Sequence, residues 1–250
     1  MALRESEAFV LMTYPLAEAD KIVVLFTHLY GKIRAVARGA RRPKSRFGAC
    51  LEPLSEVFAS FYEKESRELV ALRSCELLCS PFERAVTPEG EAFLHHVAEL
   101  VDAFQPPAEP QPPVYRLIRA TRDAFLRGAP LPALAVYFET WMLKLGGFFA
   151  SLEACAACGR TLRPDESIWI TREGTPRCER CGPPLGGHAI APSLRRLFAE
   201  VLKRPPGEWA SLPTARETAQ LRHLLRQLLR DVLERELKTA LLLDVSNSRA

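Results

Sequence analysis

Four cysteines in the second half of the chain have a spacing that could hold a metal ion. Cys155 and Cys158 form one CxxC pair, and after nineteen intervening residues Cys178 and Cys181 form a second. Two such pairs are typical of a structural zinc site, because each turn aims two thiolates at a point about 2.3 Å away and together they complete a tetrahedron. The alternatives are a redox dithiol or cysteines placed by chance. We predict one structural Zn²⁺ ion bound by these four residues.

The residues around this motif indicate a structural rather than a catalytic role. Gly159 and Gly182 each follow a pair, where a tight turn needs a residue without a Cβ. Four thiolate ligands leave no open coordination position for water or substrate, so a zinc ion here should not be catalytic. The remaining cysteines, Cys50, Cys75 and Cys79, are expected to be small buried hydrophobic residues.

A basic stretch between residues 32 and 46 is the second candidate site. The acid-free zone around it, residues 21–51, contains eight Lys or Arg, whereas the formal net charge of the chain is only +4, so the rest of the chain is net negative. Most charge runs are solvated faces, but positive charge concentrated in this way is typical of a surface that binds a polyanion. The stretch has seven basic residues: Lys32, Arg34, Arg38, Arg41, Arg42, Lys44 and Arg46.

The first part of the basic stretch alternates as a β-strand does. Ile33, Ala35 and Ala37 fall on one side of such a strand, while the other side is basic. Gly39 then opens a turn whose tip is basic again. A strand face and an adjoining loop of the same charge make a groove, so we predict that these seven residues bind nucleic acid through its phosphates.

Short strands are the elements that must position the basic stretch. Five strands within about 80 residues predict a small barrel. The oligonucleotide-binding (OB) barrel has this strand count and binds single strands on one face, and a five-stranded SH3-like barrel fits the spacing nearly as well. The predicted strands lie at residues 8–12, 22–26, 32–38, 57–62 and 69–72.

Residues 81–250 change to the period of α-helices. An apolar stripe at helical spacing begins after each of three signals. These are Thr87 followed by a proline, a proline-rich connector at residues 105–113, and a capping box that pairs Thr214 with Glu217. A long leucine stripe at residues 221–241 is expected to pack within the chain rather than against a partner. The polar side of the second helix carries Arg116, Arg119 and Arg127, which form either a solvated face or a surface for an acidic partner tail.

Two parts of the chain resemble the RecO family of bacterial DNA repair proteins. The first comprises residues 18–27, Gly31-Lys32 and residues 37–45, and it includes the basic loop. The second comprises residues 145–149 and the first cysteine pair with its glycine, residues 155–159. The resemblance extends diffusely through the helices and so covers nearly the whole chain.

The resemblance implies an α+β multidomain fold with an N-terminal OB-like five-stranded β-barrel at residues 1–80. An α-helical domain would follow at residues 81–250, with an inserted four-cysteine zinc module at residues 151–187. The family binds single- and double-stranded DNA, anneals complementary strands, and acts with RecR to load RecA onto DNA coated by single-stranded-DNA-binding protein (SSB). We expect the acidic, hydrophobic SSB tail to bind the helical domain, with Arg116, Arg119 and Arg127 as candidate contacts.

The sequence lacks the motifs of common enzymes. It has no glycine-rich phosphate loop, no GxGxxG and no HExxH, so we predict no catalytic residues and no enzyme activity. The main alternative is a zinc-ribbon adaptor whose basic patch binds acidic protein tails. A third reading, a zinc-dependent nuclease or deaminase, lacks the ligands of an open metal site.

Composition predicts a protein of the cytoplasm, associated with the nucleoid. Paired CxxC motifs suit a reducing compartment, and the N-terminus lacks the apolar core of an export signal. No apolar run exceeds the six residues 133–138, so we expect no contact with a membrane.

Overall fold

The structure of the protein is a computed structural model. It describes residues 2–63, 69–148, 151–182 and 186–239. The chain forms two compact units, residues 1–122 and residues 123–250. The predicted domain boundary after residue 80 stays a prediction. Leu241 of the leucine stripe and residues 183–185 of the predicted zinc module lie outside the described residues.

A closed five-stranded barrel forms the core of the first unit. Strand β3 pairs in parallel with β5, and the other neighbours in the order β1-β2-β3-β5-β4 pair antiparallel. This is the Greek-key arrangement of an OB-like barrel, so the predicted fold class is confirmed. The strands are β1 (Ala2–Leu16), β2 (Asp20–Thr27), β3 (Gly31–Ala37), β4 (Glu56–Glu63) and β5 (Leu69–Cys79).

The alternation predicted for the basic strand is present in β3. Ala35 and Ala37 are fully buried in the barrel core together with Val23 and Leu25 of β2. Because successive side chains of a strand point to opposite faces, Arg34 lies on the outer surface of the barrel, where it is exposed.

Helices α1 (Pro88–Phe104) and α2 (Pro112–Leu126) follow the barrel. Helix α1 begins as predicted, since the Thr87 hydroxyl accepts a hydrogen bond from the backbone N–H of Gly90 at 3.1 Å. It packs against β1. The Tyr115 ring of α2 packs against the rings of Phe9 and Phe26, at centroid distances of 4.8 and 6.3 Å. Helices therefore cover the outer face of β1 and β2 around Phe9, Leu11, Val24 and Phe26, whereas Tyr14 near the end of β1 is 41% exposed.

The proline-rich connector between these helices lies against the start of β3. Ala108 donates its backbone N–H to the carbonyl of Lys32 at 2.9 Å. Helix α2 then begins at Pro112, within the predicted connector, because proline is tolerated in the first turn of a helix.

A buried carboxylate holds α2 against the barrel. Glu56, only 5% exposed, accepts hydrogen bonds from the guanidinium groups of Arg122 and Arg119 and from the Tyr115 hydroxyl, the last at 3.1 Å. Arg119 also pairs with Glu7 at 2.8 Å. Burial by itself would raise the pKa of Glu56, but the two guanidinium groups lower it below its ordinary value of 4.5.

The second unit combines helices with a small three-stranded sheet of order β7-β6-β8. Helix α6 starts with the predicted capping box, in which the Thr214 hydroxyl and the Glu217 carboxylate each accept from the other's backbone N–H. Five of the six leucines on α6 are buried, Leu233 is partly exposed, and α6 packs on α3, so the described part of the stripe packs within the chain. The elements are α3 (Leu131–Leu145), β6 (Ile168–Ile170), β7 (Pro176–Cys178), β8 (His188–Ile190), α4 (Pro192–Val201), α5 (Pro206–Trp209) and α6 (Ala215–Leu233).

Short 3₁₀ turns complete the described secondary structure, at Gly48–Leu51, Phe82–Arg84 and Glu179–Cys181. Within the described ranges, no helix combines the length and the apolar character needed to cross a bilayer.

Replacing Glu56 by Gln should lower the free energy of unfolding by about 3 kcal/mol or more. The amide keeps the side-chain volume but removes the negative charge that faces the buried guanidinium of Arg122. Urea unfolding measures the change. Glu63→Gln is the matched control, because Glu63 pairs with Arg4 at an exposed position and should cost less than about 1 kcal/mol. Equal effects of the two substitutions would contradict this role for Glu56.

The same contact predicts a dependence of stability on pH. A carboxylate whose pKa is lowered on folding stabilises the protein above its ordinary pKa, and this contribution is lost as the pH falls toward the lowered value. Wild-type protein should therefore lose more unfolding free energy than Glu56→Gln between about pH 5 and pH 3. Parallel losses in the two proteins would show that Glu56 is not the titrating group.

Candidate metal centre and nucleic-acid interface

The four predicted cysteines come together in the second unit. Cys155 and Cys158 lie in a loop, Cys178 ends β7, and Cys181 lies in the 3₁₀ turn that follows. Their sulfur atoms are all within 4.8 Å of one another, and the Sγ atoms of Cys158 and Cys178 are 3.9 Å apart. Sulfurs bound tetrahedrally to one zinc ion would be separated by roughly 3.8 Å. The cluster can therefore hold a metal ion.

Glycine closes the turn after each pair, as predicted. Gly159 and Gly182 have φ angles of +71° and +70°, which side chains with a Cβ rarely adopt. Gly159 donates its N–H to the carbonyl of Cys155 at 2.8 Å, and Gly182 donates to Glu179 at 3.0 Å.

Backbone N–H groups stabilise the thiolate form of Cys155, which is the form that binds a metal ion. Burial would raise the pKa of Cys155, but the backbone N–H groups of Cys178 and Cys158 donate to its sulfur and lower the pKa to about 6. Hydrogen bonding to Cys178 and the other nearby thiols raises the pKa of Cys181 to about 12. Four thiolates at this distance repel one another, so complete ionisation needs a bound cation.

Two arginines support the cysteine module, and neither was found from the sequence. Arg160 pairs with Glu166 through two hydrogen bonds of 3.0 and 2.6 Å. Burial would raise the pKa of Cys178, and hydrogen bonding to Arg160 lowers it. Arg195 of α4 donates to the Leu162 carbonyl at 3.0 Å, which ties the helix to the module. The partners of Arg195 are distant in sequence, so no local motif indicates that contact.

The remaining cysteines are only partly buried, although they were expected to be buried. Cys50 and Cys75 pack against the barrel core, and Cys79 is also of intermediate exposure. Burial raises the pKa of Cys75 to about 12, so this thiol is not a reactive thiolate at neutral pH.

Six of the seven predicted nucleic-acid contacts are exposed on the first unit. Arg34 lies on the outer face of β3, and five others follow in the segment after the strand: Arg38, Arg41, Arg42, Lys44 and Arg46. Their role in binding stays a prediction. The seventh, Lys32, differs, because its ammonium group pairs with Asp102 of α1 at 3.0 Å and its side chain is 14% exposed. Lys32 is thus engaged in holding α1.

The basic loop is attached to the neighbouring turn between β1 and β2. Gly39 donates its N–H to the Asp20 carboxylate at 2.7 Å, and the Arg41 guanidinium donates to the carbonyl of Ala17 at 2.9 Å. At the far end of the loop, Phe47 is buried in the barrel core and the Arg46 guanidinium lies 5.0 Å from its ring centroid. These contacts fix the path of the basic segment.

One of the three candidate contacts for an acidic tail on α2 already has partners. Arg119 binds Glu7 and Glu56 within the first unit, although 44% of its side chain is exposed. Arg116 and Arg127 are exposed, and their role stays a prediction.

Comparison with known proteins identifies the family. The family model described as "Recombination protein O N terminal" matches residues 1–81, and "Recombination protein O C terminal" matches residues 88–240. The chain belongs to the RecO family. The resemblance seen around the basic loop and the first cysteine pair is thereby confirmed.

Relatives from several bacteria are similar to the chain over most of its length. The DNA repair protein RecO of Koribacter versatilis is 36% identical over 243 residues, which cover 97% of this chain and 98% of that protein. The RecO protein of Geobacter metallireducens is 34% identical over 204 residues, 81% of each chain. That of Bifidobacterium animalis subsp. lactis is 31% identical over 252 residues, 98% of this chain and all of the relative.

The cysteine cluster should carry about one divalent metal ion per chain. Cys178→Ser should lower both the metal content and the thermal stability, because binding at such a site contributes to folding. Elemental analysis and thermal unfolding measure the two effects. Cys75→Ser is the control, since it removes a thiol outside the cluster and should leave the metal content unchanged. Wild-type protein purified without chelator and found free of metal would contradict this assignment.

Proposed function

We propose that the protein is a DNA-binding mediator of recombination and repair. It binds single- and double-stranded DNA, anneals complementary strands, and acts with RecR to load the recombinase RecA onto SSB-coated DNA in the cytoplasm. The observation that carries this proposal is the group of six exposed basic residues on an OB-like barrel in a chain of the RecO family. Relatives named DNA repair proteins support it.

Phosphate binding follows from the charge and the fixed path of the basic loop. Each Lys or Arg that neutralises a phosphate releases a condensed counterion, which favours binding at low salt. The contacts of Gly39 and Arg41 hold the loop before DNA arrives, so less conformational entropy is lost on binding. Annealing follows because the same positive surface lets two phosphate backbones approach each other.

The metal in this proposal is one structural Zn²⁺ ion bound by Cys155, Cys158, Cys178 and Cys181. Four soft thiolate donors suit zinc, and they leave no position for substrate, so the protein is not a zinc enzyme. Such an ion would stabilise the loop that carries the first cysteine pair and β7.

Changing Arg38, Arg41 and Arg42 together to Ala should weaken DNA binding and its dependence on salt. If about four cations contact a single strand, the slope of log K against log salt is near −3, and the triple variant should be shallower by about 2. The loss should be the same for unrelated DNA sequences, because phosphate contacts do not read bases. Fluorescence anisotropy with labelled oligonucleotides across a salt series measures both.

A control variant separates local contacts from net charge. Arg204, Arg216 and Arg230 are exposed in the second unit, and changing all three to Ala removes the same charge. This control should keep the wild-type slope. An unchanged slope in the variant of Arg38, Arg41 and Arg42 would remove the basic loop as the DNA site. Tighter binding of an acidic peptide than of DNA would favour the adaptor function instead.

We propose further that the SSB tail binds a cleft of the second unit. The cleft has a volume of about 450 Å³, and its lining includes Leu152, Phe198 and Leu202. Lys144 and Arg196 are exposed basic residues at this cleft and suit an acidic, apolar tail, in place of the engaged Arg119. Lys203 also lines the cleft but pairs with Glu200 at 3.4 Å.

Reversing charge at the cleft should weaken tail binding. The double variant Lys144→Glu with Arg196→Glu should bind a labelled SSB tail peptide about tenfold or more weakly than wild type, because two attractive contacts become repulsive. Arg216→Glu with Arg230→Glu is the matched control on α6 and should bind the peptide as wild type does. Equal affinity of the cleft variant and wild type in a polarisation assay would place the tail elsewhere.

A further inference from the structure

Packing of the helices decides which face of the barrel is open. Phe9 and Leu11 of β1 and Val24 and Phe26 of β2 point outward, yet none is more than 2% exposed. OB barrels commonly bind oligonucleotides on the face of their second and third strands. Here helices of the same unit close the β2 half of that face at Val24 and Phe26 and leave Ile22 partly exposed, so much of the usual surface is unavailable to a ligand.

Part of the outer face of β3, β5 and β4 is open, and its register brings an aromatic residue into line with the basic strand. Tyr62 of β4 lies opposite Ala71 of β5, and Ala71 lies beside Val36 of β3. Their sequence neighbours Phe61 and Ala35 are buried in the barrel core, so this row faces outward. Each of the three side chains in the row is partly exposed.

Basic residues border this row on both sides. Arg34 precedes Val36 by two residues on β3 and is exposed, and Arg38 follows it by two. On β5, Arg73 follows Ala71 by two and is also exposed. Arg73 lies in a β-bulge, since the pairing shifts where Ser60 meets Ser74, and bulges redirect side chains at functional surfaces.

We propose that this surface binds single-stranded nucleic acid, with a base stacked on Tyr62 and a phosphate bound by Arg73. We name it the β3–β5–β4 platform, defined by Arg34, Val36, Tyr62, Ala71 and Arg73. The inference rests on the proposed DNA-binding function and extends the contact from the basic loop onto the sheet. Aromatic rings beside cations bind single strands without regard to sequence, because every base has a face that stacks. The row from Tyr62 to Val36 crosses two strand spacings, about 10 Å, so long arginine side chains can reach a strand lying over it.

A second outward aromatic on β4 does not share these surroundings. Phe58 is 38% exposed, but it lies between Glu7 of β1 and Glu76 of β5. Glu76 repels a phosphate backbone, and Glu7 is already paired with Arg119. Phe58 is therefore a control for Tyr62, because both are aromatic residues on the outer side of one strand.

The experiment compares variants on a labelled oligothymidylate and on an abasic oligonucleotide of the same length. Tyr62→Ala should bind oligothymidylate about fivefold or more weakly, the effect of losing one stacked base. Its affinity for the abasic oligonucleotide and its salt slope should stay as in wild type. Phe58→Ala should bind both like wild type, and Arg73→Ala should have a slope shallower by about 0.7.

Tyr62→Leu keeps an apolar side chain in the strand and tests stacking if the alanine variant is unstable. Wild-type affinity of both Tyr62 variants for oligothymidylate would overturn the inference. So would an equal loss on the abasic oligonucleotide, which would make Tyr62 structural. If the Arg38, Arg41 and Arg42 variant loses binding while the Tyr62 variants do not, the inference fails and the proposed function stands. If wild-type protein binds no single strand, both fail.

Discussion

A buried carboxylate determines how the first unit can be used. Glu56 holds Arg119 and Arg122, and through them it holds α2 against the barrel. A charge buried in this way is stable only with its partners in place, so the helix cannot leave without exposing an unpaired ion. Because the helices cover the outer face of β1 and β2 around Phe9 and Phe26, the open surface is the part that continues into the basic loop. The proposed path of DNA depends on that closure.

The main electrostatic feature of the second unit is its cluster of four cysteines. Its four cysteine sulfurs lie within 4.8 Å of one another, where thiolate charges would repel, and a bound metal ion would offset that repulsion and link the four residues. Arg160 adds positive charge beside Cys178, and Arg195 binds the module to α4. The module is short of regular structure, with strands of three residues, so such a link would supply much of its stability.

Local patterns predicted more of the molecule than distant contacts did. The cysteine cluster, the capping box at Thr214 and the alternation of β3 follow from spacing within a few residues, and the structure has all three. Strand β1 was predicted as residues 8–12 but runs from Ala2 to Leu16, because its polar first half pairs with β4 and leaves no apolar pattern. The partners of Lys32 and Arg119 are 70 and 63 residues away, so no local signal showed that these cations are engaged.

In the proposed function, DNA lies over the basic loop and the adjoining open face of the barrel. Photocrosslinking of a single strand that carries 5-iododeoxyuridine, followed by mass spectrometry of the peptides, tests it most directly. We predict crosslinks to residues 34–46 and to the platform at Tyr62 or residues 69–73. Crosslinks confined to the second unit, in the cysteine module or on α6, would contradict the account.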